Sequence, residues 1–166
     1  MNDLKLIPCD SQILHTRVEN FNFSNPPINP HELTAALTQK MLDENGLGLS
    51  ANQVGLPYRV FIMAANPPIA IFNPRIIDET TEQVSLEEGC LSYPNLFVKI
   101  KRAKSIKVRF QDMDGNTHTE KYTGMTARIF QHELDHLNGI SYTKHAHPIH
   151  LQRAMNKKKK LDRADK

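Results

Sequence analysis

Residues 132–136 read His-Glu-Leu-Asp-His, and this stretch decides the fold because it marks the helix around which the other predicted elements pack. The helix is predicted from about Met125 to Leu137 and ends at Asn138-Gly139. Two histidines four residues apart share one helical face, about one turn apart, so both imidazoles can reach one metal ion. Glu133 can then take a proton from a water on that ion and pass it to a leaving nitrogen.

Two further helices and several strands are predicted on either side of this helix. Asn29 can cap a first helix from Pro30 to about Glu44, and Leu33, Leu37 and Met41 give it one buried face. A last helix is predicted from Pro148 to about Arg163. Apolar or alternating runs predict strands at 59–63, 69–72 and 106–110, and a turn at 112–116 leads into a polar strand at 117–122.

The order of these elements, a helix, then strands, then helices, predicts an α+β fold. We expect mixed or antiparallel β-sheets packed around the central H-E-x-x-H helix, with an N-terminal and a C-terminal helix. The chain has 166 residues, of which 39% are hydrophobic, so we expect one domain over residues 1–166 with a buried core. Its basic C-terminal helix is expected at about 148–166.

Composition also limits where the protein works. No apolar run is long enough to span a membrane, and residues 1–5 lack the basic head and apolar run of a secretory signal. The two cysteines, Cys9 and Cys90, provide no disulfide framework. These features predict a cytoplasmic protein with no membrane contact.

The third metal ligand has two sets of candidates. Catalytic zinc-type sites use three protein ligands and leave one position open. Cys90 follows a glycine in a polar stretch, where the backbone can bend towards an ion. The alternatives are His145, His147 and His150, any of which would make the chain an H-E-x-x-H endopeptidase.

Residues 46–53 form a third segment of interest, because their glycines permit close backbone approach to an extended ligand. Taken together, three segments resemble the motifs of the peptide deformylase family, which are G-x-G-x-A-A-x-Q, E-G-C-L-S and Q-H-E-x-D-H. This chain has them, in the same order, at residues 46–53, 88–92 and 131–136. The resemblance extends over essentially the whole chain.

The resemblance implies an enzyme that removes the formyl group from the N-terminal methionine of new polypeptides and releases formate. It implies Cys90, His132 and His136 as metal ligands, and Glu133 as general base and acid. It also implies that Gln53, by its side chain, and Leu91, by its backbone N–H, stabilise the tetrahedral oxyanion. The ion implied is one divalent metal, natively iron(II), with nickel, cobalt or zinc as alternatives that the sequence cannot separate.

The implied substrate is an N-formylmethionyl nascent peptide. It should lie extended beside Leu47, Gly48 and Gly89 and make strand-like backbone bonds. Helical spacing places Met125 and Ile129 on the same face as His132, so these two are candidate walls for the methionine side chain, and Leu86 is a weaker candidate. A non-enzymatic descendant that only binds formylated peptides remains an alternative, which the presence of Glu133 and Gln53 disfavours.

Three residues depart from the resemblance. Ser50 replaces the usual alanine of the first motif and could add a buried hydroxyl. Phe97 stands where many bacterial relatives have an arginine, and Arg128 stands beside the expected pocket where an apolar residue is common. We also expect Glu88 and Arg102 to form an ion pair that stabilises the segment carrying Cys90.

The net charge of +3 is concentrated near the end of the chain, where Lys157 to Lys160 lie between Arg153 and Arg163. The simpler interpretation is a solvated helix, and the alternative is contact with ribosomal RNA. No DNA partner is expected.

Overall fold

The structure, a computed structural model, describes residues 3–164. Its helices are α1 (Pro30–Asp43), α2 (Gly124–Leu137) and α3 (Pro148–Ala164). Its strands are β1 (Gly48–Ser50), β2 (Val60–Met63), β3 (Ile69–Glu79), β4 (Gln83–Cys90), β5 (Tyr93–Ala103), β6 (Ser105–Gln111) and β7 (Thr117–Thr123). Short 3₁₀ helices cover Gln12–His15, Ala51–Val54 and Tyr142–His145.

The strands form two antiparallel sheets. The larger has the order β1-β2-β3-β6-β7, and the smaller is the β4–β5 hairpin. The expected α+β class, with sheets around a central helix, is confirmed. The hairpin was not predicted, although buried Leu96, Val98 and Ile100 alternate along β5 with exposed residues. β3 also runs seven residues beyond the predicted end at Phe72.

Helix α1 forms for the reasons that its sequence indicates. The Asn29 side chain accepts hydrogen bonds from the N–H groups of His31 and Glu32, at 2.9 and 3.3 Å. Pro30 occupies the first helical position. The three apolar residues of its predicted buried face, Leu33, Leu37 and Met41, are fully buried, and each contributes about 1.5–3 kcal/mol by leaving water. The helix is followed by Asn45 in the left-handed region, with φ 53°.

Helix α2 lies between the two sheets. One of its faces, with Ala127, Phe130, Leu134 and Leu137, packs into the core of the five-stranded sheet beside Phe61. Its polar residues His132, Glu133 and His136 are also buried. Gly139 follows the helix with φ 71°, and a Cβ there would lie 2.7 Å from the backbone of His15 and Thr16. The end of α2 is therefore fixed closely against the N-terminal segment.

Helix α3 covers the outer face of the hairpin. Leu151 and Ala154 pack against β5 residues Leu96, Val98 and Ile100, in a cluster that also contains Tyr142. The predicted helix at about 148–166 is present as far as Ala164, and residues 165 and 166 lie outside the described part of the chain. Among the helices of residues 3–164, none is long and apolar enough to cross a bilayer.

Candidate active site

Three potential metal ligands come together from two distant segments. His132 and His136 project from one face of α2, with ring centroids 5.1 Å apart. Cys90 ends β4, where a register shift between Glu88 and Cys90 interrupts the pairing with β5. The Cys90 Sγ lies 3.1 Å from His136 Nε2, and the three ligand atoms are within 4.8 Å of one another.

Glu88 orients the first histidine. Its Oε2 lies 3.0 Å from His132 Nδ1, and because a carboxylate only accepts, the ring proton is on Nδ1 and Nε2 is left for an ion. Arg102 forms a bidentate pair with Glu88, with Nε–Oε1 at 2.7 Å and Nη2–Oε2 at 3.0 Å. The expected Glu88–Arg102 pair is confirmed. Burial would raise the pKa of Glu88, but bonds from His132 and Arg102 hold it well below its usual range.

The donor set fits a divalent transition metal. One thiol and two imidazoles are typical ligands of zinc and of similar first-row ions. Burial lowers the pKa of His136, helped by the nearby charges of His132 and Arg102, so His136 stays neutral as a metal ligand requires. Burial also opposes protonation of His132, but hydrogen bonds to Cys90 and Glu88 raise its pKa to about 10. A proton and a cation therefore compete for this site.

Glu133 faces the same region without bonding to the three ligands. It is 4% exposed, and its Oε2 has no hydrogen-bond partner among residues 3–164. Burial raises the pKa of Glu133 to about 7, although the charges of His132 and Arg102 lower it in part. A buried carboxyl that titrates near neutral pH is suited to both taking and giving a proton.

Gln53 approaches the site from the 3₁₀ helix after β1. Its Oε1 accepts from the backbone N–H and the hydroxyl of Ser50, at 2.9 and 3.0 Å. These two donors fix which end of the amide is which. The Nε2 group therefore points towards Cys90 Sγ, at 3.6 Å, and donates to Ser92 Oγ at 3.0 Å. The extra hydroxyl expected at Ser50 is present, and it holds Gln53.

A cavity of about 570 Å³ opens onto this group. The predicted substrate-binding residues all line it: Leu47, Gly48, Gly89, Met125 and Ile129. Gln53, Cys90, Leu91, His132 and Glu133 line it too, whereas the weaker candidate Leu86 does not. Phe97 and Arg128 also contribute to its walls.

Two glycines of the cavity wall leave room for the side chains of Glu133 and Phe97. A Cβ at Gly48 would lie 2.8 Å from the carboxyl carbon of Glu133, and one at Gly89 would lie 2.6 Å from the Phe97 ring. Both distances are shorter than any ordinary contact, so a side chain at either position would displace its neighbour.

The histidines after α2 do not join the metal group, by which we mean Cys90, His132 and His136. His145 Nε2 instead lies 2.9 Å from Asp135 Oδ2, and His147 and His150 contact each other, with ring centroids 5.5 Å apart. In the part of the chain that the structure describes, Cys90, His132 and His136 are the one group arranged to hold an ion. The endopeptidase alternative therefore loses its third ligand.

Three partners of the site were not predicted. Asp135, inside the H-E-x-x-H stretch, accepts from Arg102 Nη1 at 2.7 Å. Asn52 Nδ2 donates to the backbone carbonyl of His136 at 2.6 Å. The departure at Arg128 was visible in the sequence, but its bonds to the hairpin were not, because every partner is 28 or more residues away.

A buried glutamate beside two histidines and a cysteine, at the bottom of a cavity between helix and hairpin, defines a metal-dependent hydrolase. A sequence model of the polypeptide deformylase family matches residues 4–152, and the chain belongs to that family. Its members are metalloenzymes that remove the N-formyl group from nascent peptides.

Comparisons with individual relatives support this family assignment. The peptide deformylase of Wolbachia pipientis wMel is 37% identical over 175 aligned positions, which cover 97% of each chain. That of Thermotoga neapolitana is 46% identical over 105 residues, which are 63% of this chain and 64% of the relative. The crystal structure of the Thermotoga maritima peptide deformylase superimposes with a TM-score of 0.83 at 36% identity, over 87% of this chain and 98% of that one.

Proposed function

We propose that this chain hydrolyses the N-formyl group with Glu133 as the proton-transferring residue. Cys90, His132 and His136 would hold one divalent ion, and Gln53 and Leu91 would stabilise the oxyanion. One observation carries this proposal: the carboxyl of Glu133 is buried with an unbonded oxygen, and Glu133 lines the same cavity as Cys90 and His132, two of the three clustered ligands.

A divalent ion held by Cys90, His132 and His136 would supply Lewis acidity to the hydrolysis. Glu133 takes the proton from the attacking water as the C–O bond forms at the formyl carbon. The same carboxyl returns the proton to the amine nitrogen as the C–N bond breaks, and formate leaves. Its pKa of about 7 suits both transfers at neutral pH.

Negative charge develops on the formyl oxygen between these two transfers. Gln53 Nε2 is the side-chain donor best placed to meet it, because Ser50 already occupies the acceptor end of the amide. The backbone N–H of Leu91, next to Cys90, is proposed as the second donor. Loss of one such donor typically costs about 10²–10³-fold in rate.

The peptide is proposed to lie extended along Leu47, Gly48 and Gly89. Leu47 is 58% exposed, so an apolar residue of the peptide can cover it. The methionine side chain is proposed to enter between Met125 and Ile129 on α2 and the hairpin opposite. Met125 is 52% exposed and would become buried by this side chain.

Iron(II) is proposed as the native ion, with nickel, cobalt or zinc able to replace it. The ligand set supports any of these, since imidazole and thiolate bind all four. A thiolate from Cys90 would lower the net charge of an ion held there and so reduce its Lewis acidity.

We also propose that residues 1–166 form one catalytic domain in the cytoplasm, and that α3 contacts the ribosome. Lys157, Lys159 and Lys160 are exposed, whereas Lys158 is paired with Asp162 at 2.6 Å. Neutralising the three exposed lysines should weaken co-sedimentation with ribosomes and leave turnover of small peptides intact. Unchanged co-sedimentation would mean that α3 only packs against the hairpin and does not contact the ribosome.

The decisive assay is formate release from formyl-Met-Ala-Ser by protein purified anaerobically with iron. Glu133→Ala should abolish turnover and keep the metal, whereas Cys90→Ala should lose the metal. An absence of formate with iron, nickel and cobalt alike would refute the proposed function.

A further inference from the structure

Arg128 begins on one wall of the cavity and ends on the other. Its backbone belongs to α2, next to Ile129, but its guanidinium bonds only to residues of β4 and β5. Nη1 donates to Glu88 Oε1 at 2.6 Å and to the Ile100 carbonyl at 3.2 Å. Nη2 donates to the Val84 carbonyl at 2.6 Å. The side chain is 7% exposed.

The other bonds between the two walls lie away from the cavity or involve the proposed ligands. No ladder of strand pairing joins the hairpin to the five-stranded sheet in the described residues. Four other residues of α2 also bond to the hairpin: Gln131, His132, Asp135 and His136. Of these four, only His132 lines the cavity, and it belongs to the metal group. Arg128 is therefore the one cavity-lining strut that the metal group does not include.

This strut cannot move aside easily. A buried guanidinium that leaves its carboxylate and carbonyl partners would remain charged and unsolvated. Three hydrogen bonds in a rigid planar fork also fix its orientation, which a flexible ammonium would not do. Arg128 therefore holds the Met125–Ile129 face of α2 at a set distance from β4, one turn before the bond between His132 and Glu88.

We propose that Arg128 is a specificity-determining residue, which sets the width of the pocket for the first side chain of the substrate. A fixed, narrow slot accepts the unbranched side chain of formylmethionine and excludes a wider aromatic one. The inference deepens the proposed function and rests on it. Arg128 acts here through the spacing of the walls, while Arg102 keeps both oxygens of Glu88 bonded.

The test compares formyl-Met-Ala-Ser, formyl-norleucine-Ala-Ser and formyl-Phe-Ala-Ser as substrates of the wild type and of Arg128→Met, Arg128→Ala and Arg128→Lys. Arg128→Met keeps an unbranched stem in the cavity but has no bond to the hairpin. We expect kcat/KM for the Met over the Phe peptide to fall about tenfold or more in both Arg128→Met and Arg128→Ala. The Met to norleucine ratio should stay constant, because both side chains are narrow. Arg128→Lys, which keeps a charge opposite Glu88, should recover part of the selectivity.

Arg153→Met, at an exposed position of α3, is the control for an arginine-to-methionine change. Wild-type selectivity in Arg128→Met would overturn the proposal, since the volume of the side chain at position 128, without its bonds to the hairpin, would then be enough for selectivity. A parallel measurement uses zinc-loaded Glu133→Ala protein with each Arg128 variant, and compares the Kd values of the three peptides by calorimetry. The ratio of these Kd values tests the pocket even if the wild type releases no formate, an outcome that would refute the proposed function alone. Metal content per chain shows whether each variant has kept its fold around the site.

Discussion

The side-chain amide of Asn52 donates a 2.6 Å hydrogen bond to the backbone carbonyl of His136. The bond joins two segments that must stay in register, because Asn52 precedes the amide donor Gln53 and His136 is a proposed ligand. It has a cost, since the Asn52 Oδ1 is buried without a partner among the described residues. An unbonded buried acceptor destabilises a fold by about 1–3 kcal/mol. We therefore expect Asn52 to serve the geometry of the site more than the stability of the fold.

Replacing Asn52 by leucine should therefore separate activity from stability. The variant loses the bond to His136 and a longer one to the Ile13 carbonyl at 3.5 Å. It also removes the unpaired Oδ1, so the free energy of unfolding should change by less than about 1 kcal/mol. The His136 carbonyl keeps its bond from the Gly139 N–H, at 3.1 Å. We expect kcat to fall about tenfold because Gln53 and His136 lose their register. Urea unfolding and formate release measure the two effects.

The control for that experiment is Thr34→Val, which removes another buried unpaired oxygen in α1, away from the cavity. It should leave kcat unchanged. A large loss of stability in Asn52→Leu with normal kcat would mean that Asn52 serves the fold alone.

Gly48→Ala should inactivate the enzyme without unfolding it. The new methyl group would lie 2.8 Å from the Glu133 carboxyl carbon, so the carboxyl must turn away from the ligands. Loss of a placed general base typically lowers kcat by about 10²–10⁴-fold. Circular dichroism should remain that of the wild type. Nearly full activity in this variant would show that Glu133 acts from another position.

Glu88→Gln should weaken metal binding. The amide can no longer neutralise Arg102 and Arg128 or hold the His132 Nδ1–H as strongly, and loss of such a partner costs about 10–100-fold in affinity. Breaking the buried pair should also cost about 3–5 kcal/mol of stability. Chelator competition with cobalt gives the affinity, and Glu120→Gln, at an exposed position of β7, is the matched control. Equal affinity in the two variants would contradict the role of Glu88.

Asp112 should give the β6–β7 turn a pH-dependent stability. Burial tends to raise its pKa, but bonds from the His118 side chain and from the Asn116 and Asp114 N–H groups keep the pKa below its usual value. A lowered folded-state pKa stabilises the protein above the unfolded pKa of about 3.9. This contribution is lost as the pH falls through the folded value. Asp112→Ala should be less stable than the wild type at pH 7, with a difference that shrinks in acid. A difference independent of pH in urea titrations would exclude this origin.

Local signals in the sequence predict the three helices well. Capping by Asn29, the four-residue spacing of Leu33 and Leu37 and the stop at Gly139 act within a few residues of one another. The same short range predicts that His132 and His136 share a face. The β4–β5 hairpin was not predicted because β4 is mostly exposed. Buried and exposed residues therefore hardly alternate along that strand. The hydrogen bond from Asn52 to His136 joins residues 84 positions apart. Those from Arg128 join residues 28–44 positions apart, and no local sequence pattern predicts contacts over such distances.

The proposed ligands are far apart along the chain, with Cys90 lying 46 residues before His136. During synthesis the N-terminal part of a chain emerges first, so the site cannot assemble until His136 has left the ribosome. By then Gln53 and the whole hairpin are already outside. A growing copy therefore gains its proposed metal site only after the last of the three ligands has emerged.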